Sequence, residues 1–233
     1  SHMMVHSIGA LAQTHPSVYP RLGERTPEDF TDLCVNYLLH GGNRAQFFND
    51  DACIPAIVSA GAPPEEAAMY MAGGCMEISV QGMNCDLNFA RTYNVAKTFE
   101  LVLTGGMDLK TGGCRDGFDR DLTDYAEFEE LYSAFENRLL YEYTEMTKGL
   151  DIASECYAEY RPCYLLSSLL DDCLGRGREQ QAGGARYHEY GFAALGVTSV
   201  ADSLTALKHT VYGDGSVSAA ELMSALRNNF TGC

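Results

Sequence analysis

A long run of apolar side chains at helical spacing constrains the fold of this chain more than any other feature. Between residues 122 and 148 these side chains recur with the period of one face of an α-helix: Tyr125, Phe128, Leu131, Tyr132, Phe135, Leu139 and Tyr143. The pattern predicts a helix over residues 122–148. We interpret the stripe as a face that packs into a core, since stripes of this kind are far more often core than ligand site.

Shorter helices are predicted on both sides of this stripe. They cover residues 26–40, 64–71, 92–103, 152–160, 164–174, 198–211 and 218–229. Glycine pairs follow several of them, and Ser218 with Glu221 forms the pattern of a capping box. Many helices with few short strands indicate an α/β fold, or an α-rich mixed domain.

The segment 73-GGCMEISVQGMN-84 lies between two predicted helices and alternates as a strand does. Cys75, Glu77, Ser79 and Gln81 would share one face, and Met76, Ile78 and Val80 the other. Two residues along a strand span about 7 Å, so the thiol and the carboxylate could flank one small molecule. The structural alternative is a half-exposed strand with an inert cysteine and a solvated glutamate.

Charge and cysteine content narrow the classes of partner. The chain has 16 Lys and Arg against 32 Asp and Glu, which disfavours nucleic acid and anionic membranes and favours a small-molecule substrate or a protein. It contains no apolar run of the roughly 20 residues that a membrane span needs. The nine cysteines include no Cys-x-x-Cys pair, so we predict neither a metal site nor a disulfide framework. We expect a cytoplasmic protein with reduced thiols, from an anaerobic bacterium.

The run Gly74-Cys75-Met76-Glu77 resembles the Gly-Cys-x-Glu motif of the glycyl radical enzymes, the relatives of pyruvate formate-lyase. The motif alone is short, but further segments resemble the family in the same order and at similar spacing over most of residues 20–232. These landmarks are Asn49-Asp50, Ile54-Pro55-Ala56, Glu65-Glu66-Ala67, Glu100-Leu101-Val102-Leu103, Gly183-Gly184-Ala185-Arg186-Tyr187 and the segment from Thr198 to Leu204 with Lys208.

The resemblance implies a fold, a reaction and partners. The fold would be a helix-rich fragment of the family's ten-stranded α/β barrel. Cys75 would become a thiyl radical that takes a hydrogen atom from the substrate, and Glu77 would act as the general base. The chain would bind no cofactor itself; the glycyl radical would be installed by a radical S-adenosylmethionine activating enzyme, under strict anaerobiosis, in an enzyme that commonly forms a homodimer.

Two departures from the family pattern narrow the expected chemistry. Pyruvate formate-lyase has two adjacent cysteines at the motif, whereas Gly74 precedes Cys75 here. This places the resemblance with the dehydratases, C–N and C–S lyases and arylacetate decarboxylases, and argues against acyl transfer to coenzyme A. Ile78 stands where many relatives have proline, which could shift the backbone after Glu77.

The resemblance covers only the middle of the family's fold. No segment like the family's Arg-Val-x-Gly-Tyr radical loop occurs in the sequence, and the family's large N-terminal region has no counterpart. We read residues 1–3 as an expression-tag remnant and residues 4–233 as a single domain. We expect this chain to be inactive alone, because it lacks the radical glycine.

Three other functions were weighed against this interpretation. The chain could be a non-catalytic structural or protein-interaction domain derived from the family, with a buried Cys75. Asp214-Gly215 with Glu221 resembles the end of a calcium loop, but Glu221 already fits a capping box. A cysteine hydrolase would need a histidine beside Cys75, and the candidates are His40, His188 and His209.

Overall fold

The structure of the protein is a computed structural model that describes residues 2–12, 17–73, 77–85 and 90–231. The helices are α1 (His2–Leu11), α2 (Glu28–Leu39), α3 (Asp50–Ser59), α4 (Pro64–Ala67), α5 (Val95–Leu103), α6 (Phe128–Tyr160), α7 (Tyr164–Ser167), α8 (Cys173–Arg176), α9 (Val197–Thr210) and α10 (Ala219–Arg227). The strands are β1 (Arg21–Leu22), β2 (Phe48–Asn49), β3 (Tyr70–Gly73), β4 (Glu77–Val80), β5 (Arg91–Asn94) and β6 (Phe192–Leu195). A 3₁₀ turn covers Leu122–Asp124 and a π-type turn covers Gln180–Gly184.

The strands pair two by two in the part of the chain that is described. The pairs β1–β2 and β5–β6 are parallel, whereas β3 and β4 form an antiparallel hairpin in which Tyr70 faces Val80 and Gly73 faces Glu77. Short pairs of this kind need packing against helices to be stable. The sheet content is therefore subordinate to the helices.

The first compact unit comprises residues 1–88 and 163–189. It contains two apolar clusters of buried residues, one where Val5 of α1 meets Phe30 and Cys34 of α2, and one formed by Cys85, Cys173 and Ala185. The N-terminus of α3 is capped by Asn49, whose side chain accepts a hydrogen bond from the Asp51 backbone. This unit carries the β3–β4 hairpin.

The second compact unit comprises residues 89–162 and 190–233. Its core is built on α5, whose Phe99 meets Phe135 of α6 edge to face with ring centroids 5.1 Å apart. Leu122 and Leu131 are fully buried in the same cluster, together with residues of α9 and α10. The stripe is therefore core-facing in part: Tyr125 before α6 and Leu131 and Phe135 within it are buried, whereas Tyr132 and Tyr143 are 39% and 42% exposed.

Several predicted elements have different bounds in the structure. The helices predicted at 122–148 and 152–160 are one continuous helix, α6, which begins only at Phe128. The helix predicted at 64–71 is a single turn, α4, and its last residues belong to β3. The helix predicted at 164–174 is two separate turns, α7 and α8, and residues 92–94 belong to β5 rather than α5.

The physical reason for these differences is packing between distant segments. Gly149 would weaken an isolated helix, but Leu150 and Ser154 are buried beyond it and hold α6 together through the glycine. The helix ends at Tyr160 because Pro162 disfavours helical geometry in the residue before it. Residues 70–73 become a strand because β4 offers them a partner.

The helix-rich α/β character predicted from the sequence is confirmed. Among the described residues, no helix combines the length and the apolar character required to cross a lipid bilayer.

Candidate active site

Glu77, the last residue of the motif, lies on the β3–β4 hairpin, which we call the motif hairpin (Tyr70–Gly73 and Glu77–Val80). Glu77 is the first residue of β4, is half-buried, and faces Gly73 across the pair. Cys75, together with Gly74 and Met76, lies outside the described residues. The structure thus places Glu77 in a strand, as predicted, and leaves the position of Cys75 as a prediction.

The strand that begins at Glu77 is shorter than the sequence suggests, and its two faces differ less in burial. The predicted strand continues to Gln81, whereas β4 ends at Val80 and a turn follows. Val80 is buried, but Ile78 is half-buried like Glu77 and Ser79. The alternation in sequence therefore marks a strand without a strict separation into an apolar and a polar face.

A set of three side chains holds the start of the motif hairpin. The Asp50 carboxylate accepts hydrogen bonds from Arg21 Nε at 2.7 Å and Nη2 at 3.0 Å, and from the Tyr70 phenol at 2.7 Å. Arg21 Nη1 also donates to the backbone oxygens of Ala68 and Tyr70, at 3.0 Å and 2.9 Å. Its guanidinium lies 3.9 Å from the centre of the Tyr70 ring, within the range of a cation–π contact. Residues of β1 and α3 thus fix the first residue of β3.

The titration of this set follows from its geometry. The hydrogen bond from Arg21 lowers the pKa of Asp50 below its ordinary value. Tyr70 is 2% exposed, and its burial, reinforced by the bond to Asp50, raises the pKa of its phenol. At neutral pH the set is therefore an ionised carboxylate between a guanidinium and a neutral phenol.

The chain that leaves the motif hairpin is also held. The buried side chain of Asn84 accepts a hydrogen bond from the Val80 backbone N–H at 2.7 Å, which closes the turn after β4. In the same turn, the Gly82 carbonyl accepts from the Asp171 backbone N–H at 2.8 Å. The residues that follow Glu77 therefore have fixed partners in the segment around residue 171.

A second charged cluster lies in the same unit. Arg186 forms a two-fold contact with Asp172, Nη2 to Oδ1 at 2.9 Å and Nε to Oδ2 at 3.1 Å. It also donates to Glu66 of α4, and the phenol of Tyr187 donates to the other Glu66 oxygen. The hydrogen bonds to Asp172 and Glu66 raise the pKa of Arg186, and the bond to Glu66 raises the pKa of the Tyr187 phenol. The cluster therefore joins three segments that are remote in sequence.

Sequence reasoning found some of these residues without their roles. Asp50, Glu66, Arg186 and Tyr187 stand in segments that resemble the family. The structure shows the Asp50 side chain in contact with Tyr70, and the Glu66 side chain in contact with Arg186 and Tyr187. Sequence reasoning missed Arg21, Tyr70 and Asp172. No local pattern marks Arg21 and Tyr70, because their partners in this set are 20 to 49 residues away. Asp172 contacts Arg186, 14 residues on, but it also pairs with Arg176 at the local spacing i,i+4, a signal that could have drawn attention to it.

The structure also places the residues of the rival interpretations. His40 Nδ1 lies 2.7 Å from the Asn36 carbonyl oxygen at the end of α2. Asp214 accepts from the Ser216 backbone N–H at 2.9 Å, and Glu221 closes the predicted capping box with Ser218, so both carboxylates are used in local turns. Among the described residues, no three His, Cys, Asp or Glu side chains are grouped as a metal site requires.

Comparison with known proteins identifies where the fold occurs. The family model for pyruvate formate lyase-like proteins matches residues 1–233. The chain is 28% identical over 235 residues to trans-4-hydroxy-L-proline dehydratase of Clostridioides difficile, an alignment that covers 100% of this chain and 29% of that protein.

Solved structures of the same kind superpose closely. The glycerol-bound form of the B12-independent glycerol dehydratase from Clostridium butyricum matches with a TM-score of 0.88 and 28% identity, over 98% of this chain and 29% of that one. A glycyl radical enzyme from Archaeoglobus fulgidus matches with a TM-score of 0.84 and 28% identity, over 99% of this chain and 29% of that one.

These matches confirm the predicted fold as a helix-rich α/β portion of a glycyl radical enzyme. The chain spans about 29% of the length of the relatives it matches. The match to the family model extends from residue 1 to residue 233. The chain belongs to the pyruvate formate lyase-like family.

Proposed function

We propose that this chain is the Cys75- and Glu77-bearing part of a glycyl radical lyase of the dehydratase type, acting on a small polar substrate. The observation that carries the proposal is the Gly-Cys-x-Glu motif in a chain that matches the family over residues 1–233. Its Glu77 is the first residue of β4, and the residues before and after the motif hairpin are held by hydrogen bonds. The named relatives include a hydroxyproline dehydratase and a glycerol dehydratase, which favours elimination of water.

The residues would share the reaction as follows. The family's glycyl radical would supply one-electron chemistry by taking the hydrogen atom of the Cys75 thiol. Cys75 sulfur then takes a hydrogen atom from a substrate C–H, which restores the thiol and leaves a carbon radical. The Glu77 carboxylate accepts the proton of the hydroxyl on that carbon.

The leaving group on the adjacent carbon departs with its bonding electron pair and receives that proton from Glu77, so that water is released. The product radical then takes a hydrogen atom back from the Cys75 thiol, which leaves Cys75 as a thiyl radical and Glu77 as a carboxylate. Cys75 would return to a thiol by recovering a hydrogen atom from the family's radical-bearing glycine. Such a sequence needs the thiol and the carboxylate on one small molecule at once, which two residues at i and i+2 can provide.

The wider setting of the reaction is also part of the proposal. A radical S-adenosylmethionine activating enzyme would install the radical in an anaerobic cytoplasm, and the enzyme would form a homodimer. Residues 1–233 alone would show no turnover, since the glycine that bears the radical in the family has no match among them. The substrate stays defined only by class, a small polar molecule with a C–H beside a leaving group.

The role of Glu77 is tested in the full polypeptide that carries this segment with the radical loop. The polypeptide is activated anaerobically, and product formation is followed with glycerol, 1,2-propanediol and trans-4-hydroxy-L-proline as probes. Glu77→Gln should lower kcat by roughly 100-fold or more, the usual loss of a general base. The radical signal in electron paramagnetic resonance should persist, because Glu77 takes no part in forming it.

The matched control is Glu155→Gln, on the exposed side of α6, which should keep full turnover. Full turnover in Glu77→Gln would refute the general-base role. Absence of product from every probe in an activated, radical-bearing protein would instead favour the non-catalytic alternative.

A further inference from the structure

Tyr187 contacts both the segment that enters the motif hairpin and the segment that leaves it. Its backbone lies beside residues 83–85, which follow β4, and its phenol reaches Glu66, which precedes β3. The two segments belong to one compact unit and are joined in sequence by the hairpin itself. A residue that holds both ends of a hairpin fixes where its middle can lie.

The exit contact is made by the backbone. Tyr187 N–H donates to the Met83 carbonyl at 2.9 Å, and Cys85 N–H donates to the Tyr187 carbonyl at 3.0 Å. These two bonds form an isolated parallel bridge around Asn84, whose side chain closes the turn after β4. Because these are backbone hydrogen bonds, a change of the side chain at residue 187 should leave them in place.

The entry contact is made by side chains. Glu66 lies in α4, its side chain is 15% exposed, and its two oxygens accept from Arg186 and from the Tyr187 phenol. β3 begins four residues after Glu66, and the Met69 backbone N–H donates a hydrogen bond of 2.9 Å to the Glu66 carbonyl oxygen. A displacement of Glu66 therefore carries over to Tyr70.

Arg186 supports the entry contact with charge. It forms an ion pair with Glu66 and is itself held by Asp172, so the Glu66 carboxylate is oriented as an acceptor for the phenol. Charge-assisted hydrogen bonds of this kind are shorter and stronger than neutral ones. The same carboxylate thus faces a fixed cation on one oxygen and a fixed donor on the other.

We infer that Glu66 and Tyr187 are positioning residues, which together clamp the entry and exit of the motif hairpin and so fix Glu77 for the reaction. The inference rests on the proposed function, because only a reaction at this hairpin requires such placement. Small misplacements of reacting groups are costly; about 1 Å can lower a rate by about 100-fold. Neither Glu66 nor Tyr187 takes part in the chemical steps.

The clamp is tested first on the 233-residue chain, without any catalysis. Amide hydrogen exchange of residues 69–85 is compared between the native chain, Tyr187→Phe, Glu66→Ala and the double variant. Each single change should speed exchange in β3 and β4 by about fivefold, the factor given by one hydrogen bond of ordinary strength. The increase in exchange rate in the double variant should be smaller than the product of the two single increases, because both changes remove one shared contact.

Two control variants separate positioning from general loss of stability. Glu66→Gln keeps an acceptor oxygen for the phenol and should restore part of the lost protection. Tyr190→Phe makes the same chemical change three residues on, where the phenol donates to Asp151 at 2.9 Å, and should leave residues 69–85 unchanged. Unchanged exchange in Tyr187→Phe, or fully independent effects in the double variant, would overturn the clamp.

The kinetic arm uses the activated full polypeptide. Tyr187→Phe should lower kcat by about tenfold while KM changes little, since the change misplaces the reacting groups rather than the substrate. A faster-exchanging hairpin with unchanged kcat would overturn the positioning role. If Glu77→Gln were fully active, the proposed function would fail, and the exchange data would then report a purely structural clamp.

Discussion

Asp50 shows how one carboxylate can set where the motif hairpin begins. Its two oxygens accept three hydrogen bonds, two from Arg21 and one from Tyr70. Bonds from an ionised guanidinium to an ionised carboxylate are the stronger class, and here both side chains are about two-thirds buried. The contribution of Asp50 to stability should therefore exceed that of an exposed ion pair.

Asp50→Asn should reduce the free energy of unfolding by about 1–3 kcal/mol, the range for hydrogen bonds to charged groups. The bond from Arg21 holds the folded pKa of Asp50 below its ordinary value of 3.8. A lowered carboxyl pKa adds stability above its unfolded value, and that stability is lost as pH falls through the folded value. The difference between native and variant chains should thus be constant at neutral pH and shrink below about pH 4.

Urea unfolding at a series of pH values measures this difference. Asp32→Asn, at an exposed position of α2, serves as the control and should unfold like the native chain at each pH. A native-to-Asp50→Asn difference that stays the same, or grows, as the pH falls would contradict the assignment.

At the residue scale the sequence predicted the positions of important residues, but it did not predict their side-chain contacts. Asp50 and Glu66 stand in segments that resemble the family, but their partners lie 20 to 121 residues away. Side-chain pairing over such separations depends on the folded path of the backbone. Arg21 therefore carried no signal that local patterns could reveal. Asp172 carried one, its i,i+4 spacing to Arg176, but that spacing does not reveal its contact with Arg186.

The segment that delivers Arg186 and Tyr187 to the clamp begins with an unusually tight turn. Residues Gln180–Gly184 form a π-type turn in which Gly183 has a φ of 81°, a backbone conformation that residues other than glycine rarely adopt. A Cβ atom on Gly184 would lie 2.1 Å from the Arg178 carbonyl oxygen. The turn thus needs glycine at Gly184 for space, not only for conformational freedom.

Gly184→Ala should destabilise the chain by about 1–3 kcal/mol, the usual cost of forcing extra atoms into a packed site. Because the obstructing atom belongs to the backbone, the segment must move, and exchange at residues 83–85 should rise as well. Gly175→Ala is the matched control, since α8 offers open space there and alanine favours a helix. Equal stability of the two variants in urea would contradict the steric argument.

At the scale of elements, prediction worked where local signals were complete. The capping box of Ser218 and Glu221 opens α10 as predicted, and α9 lies within one residue of its predicted bounds. It was wrong where pairing or burial overrode local signals, as for the first two residues of β3, which the sequence marks as the end of a helix, and for Gly149 inside α6. Those outcomes depend on Val80 and on the core around Leu150, which a local window does not contain.

At the scale of the whole molecule, the ordered series of landmarks carried the prediction of family and fold. Each landmark is only a few residues long, but the family that their order indicates is confirmed by a match over residues 1–233. The substrate could not be predicted in the same way. The relatives that the chain matches are named for different substrates, trans-4-hydroxy-L-proline and glycerol, so membership of the family does not select one.

The measurement that bears most directly on the function is anaerobic turnover of Cys75→Ser in the activated full polypeptide. The serine hydroxyl holds its hydrogen atom too strongly to relay a radical, so product formation should fall below detection while a glycyl radical signal remains. Cys114→Ser, which changes an exposed cysteine of the same chain, should keep the native rate. Native turnover by Cys75→Ser would contradict hydrogen-atom abstraction by Cys75.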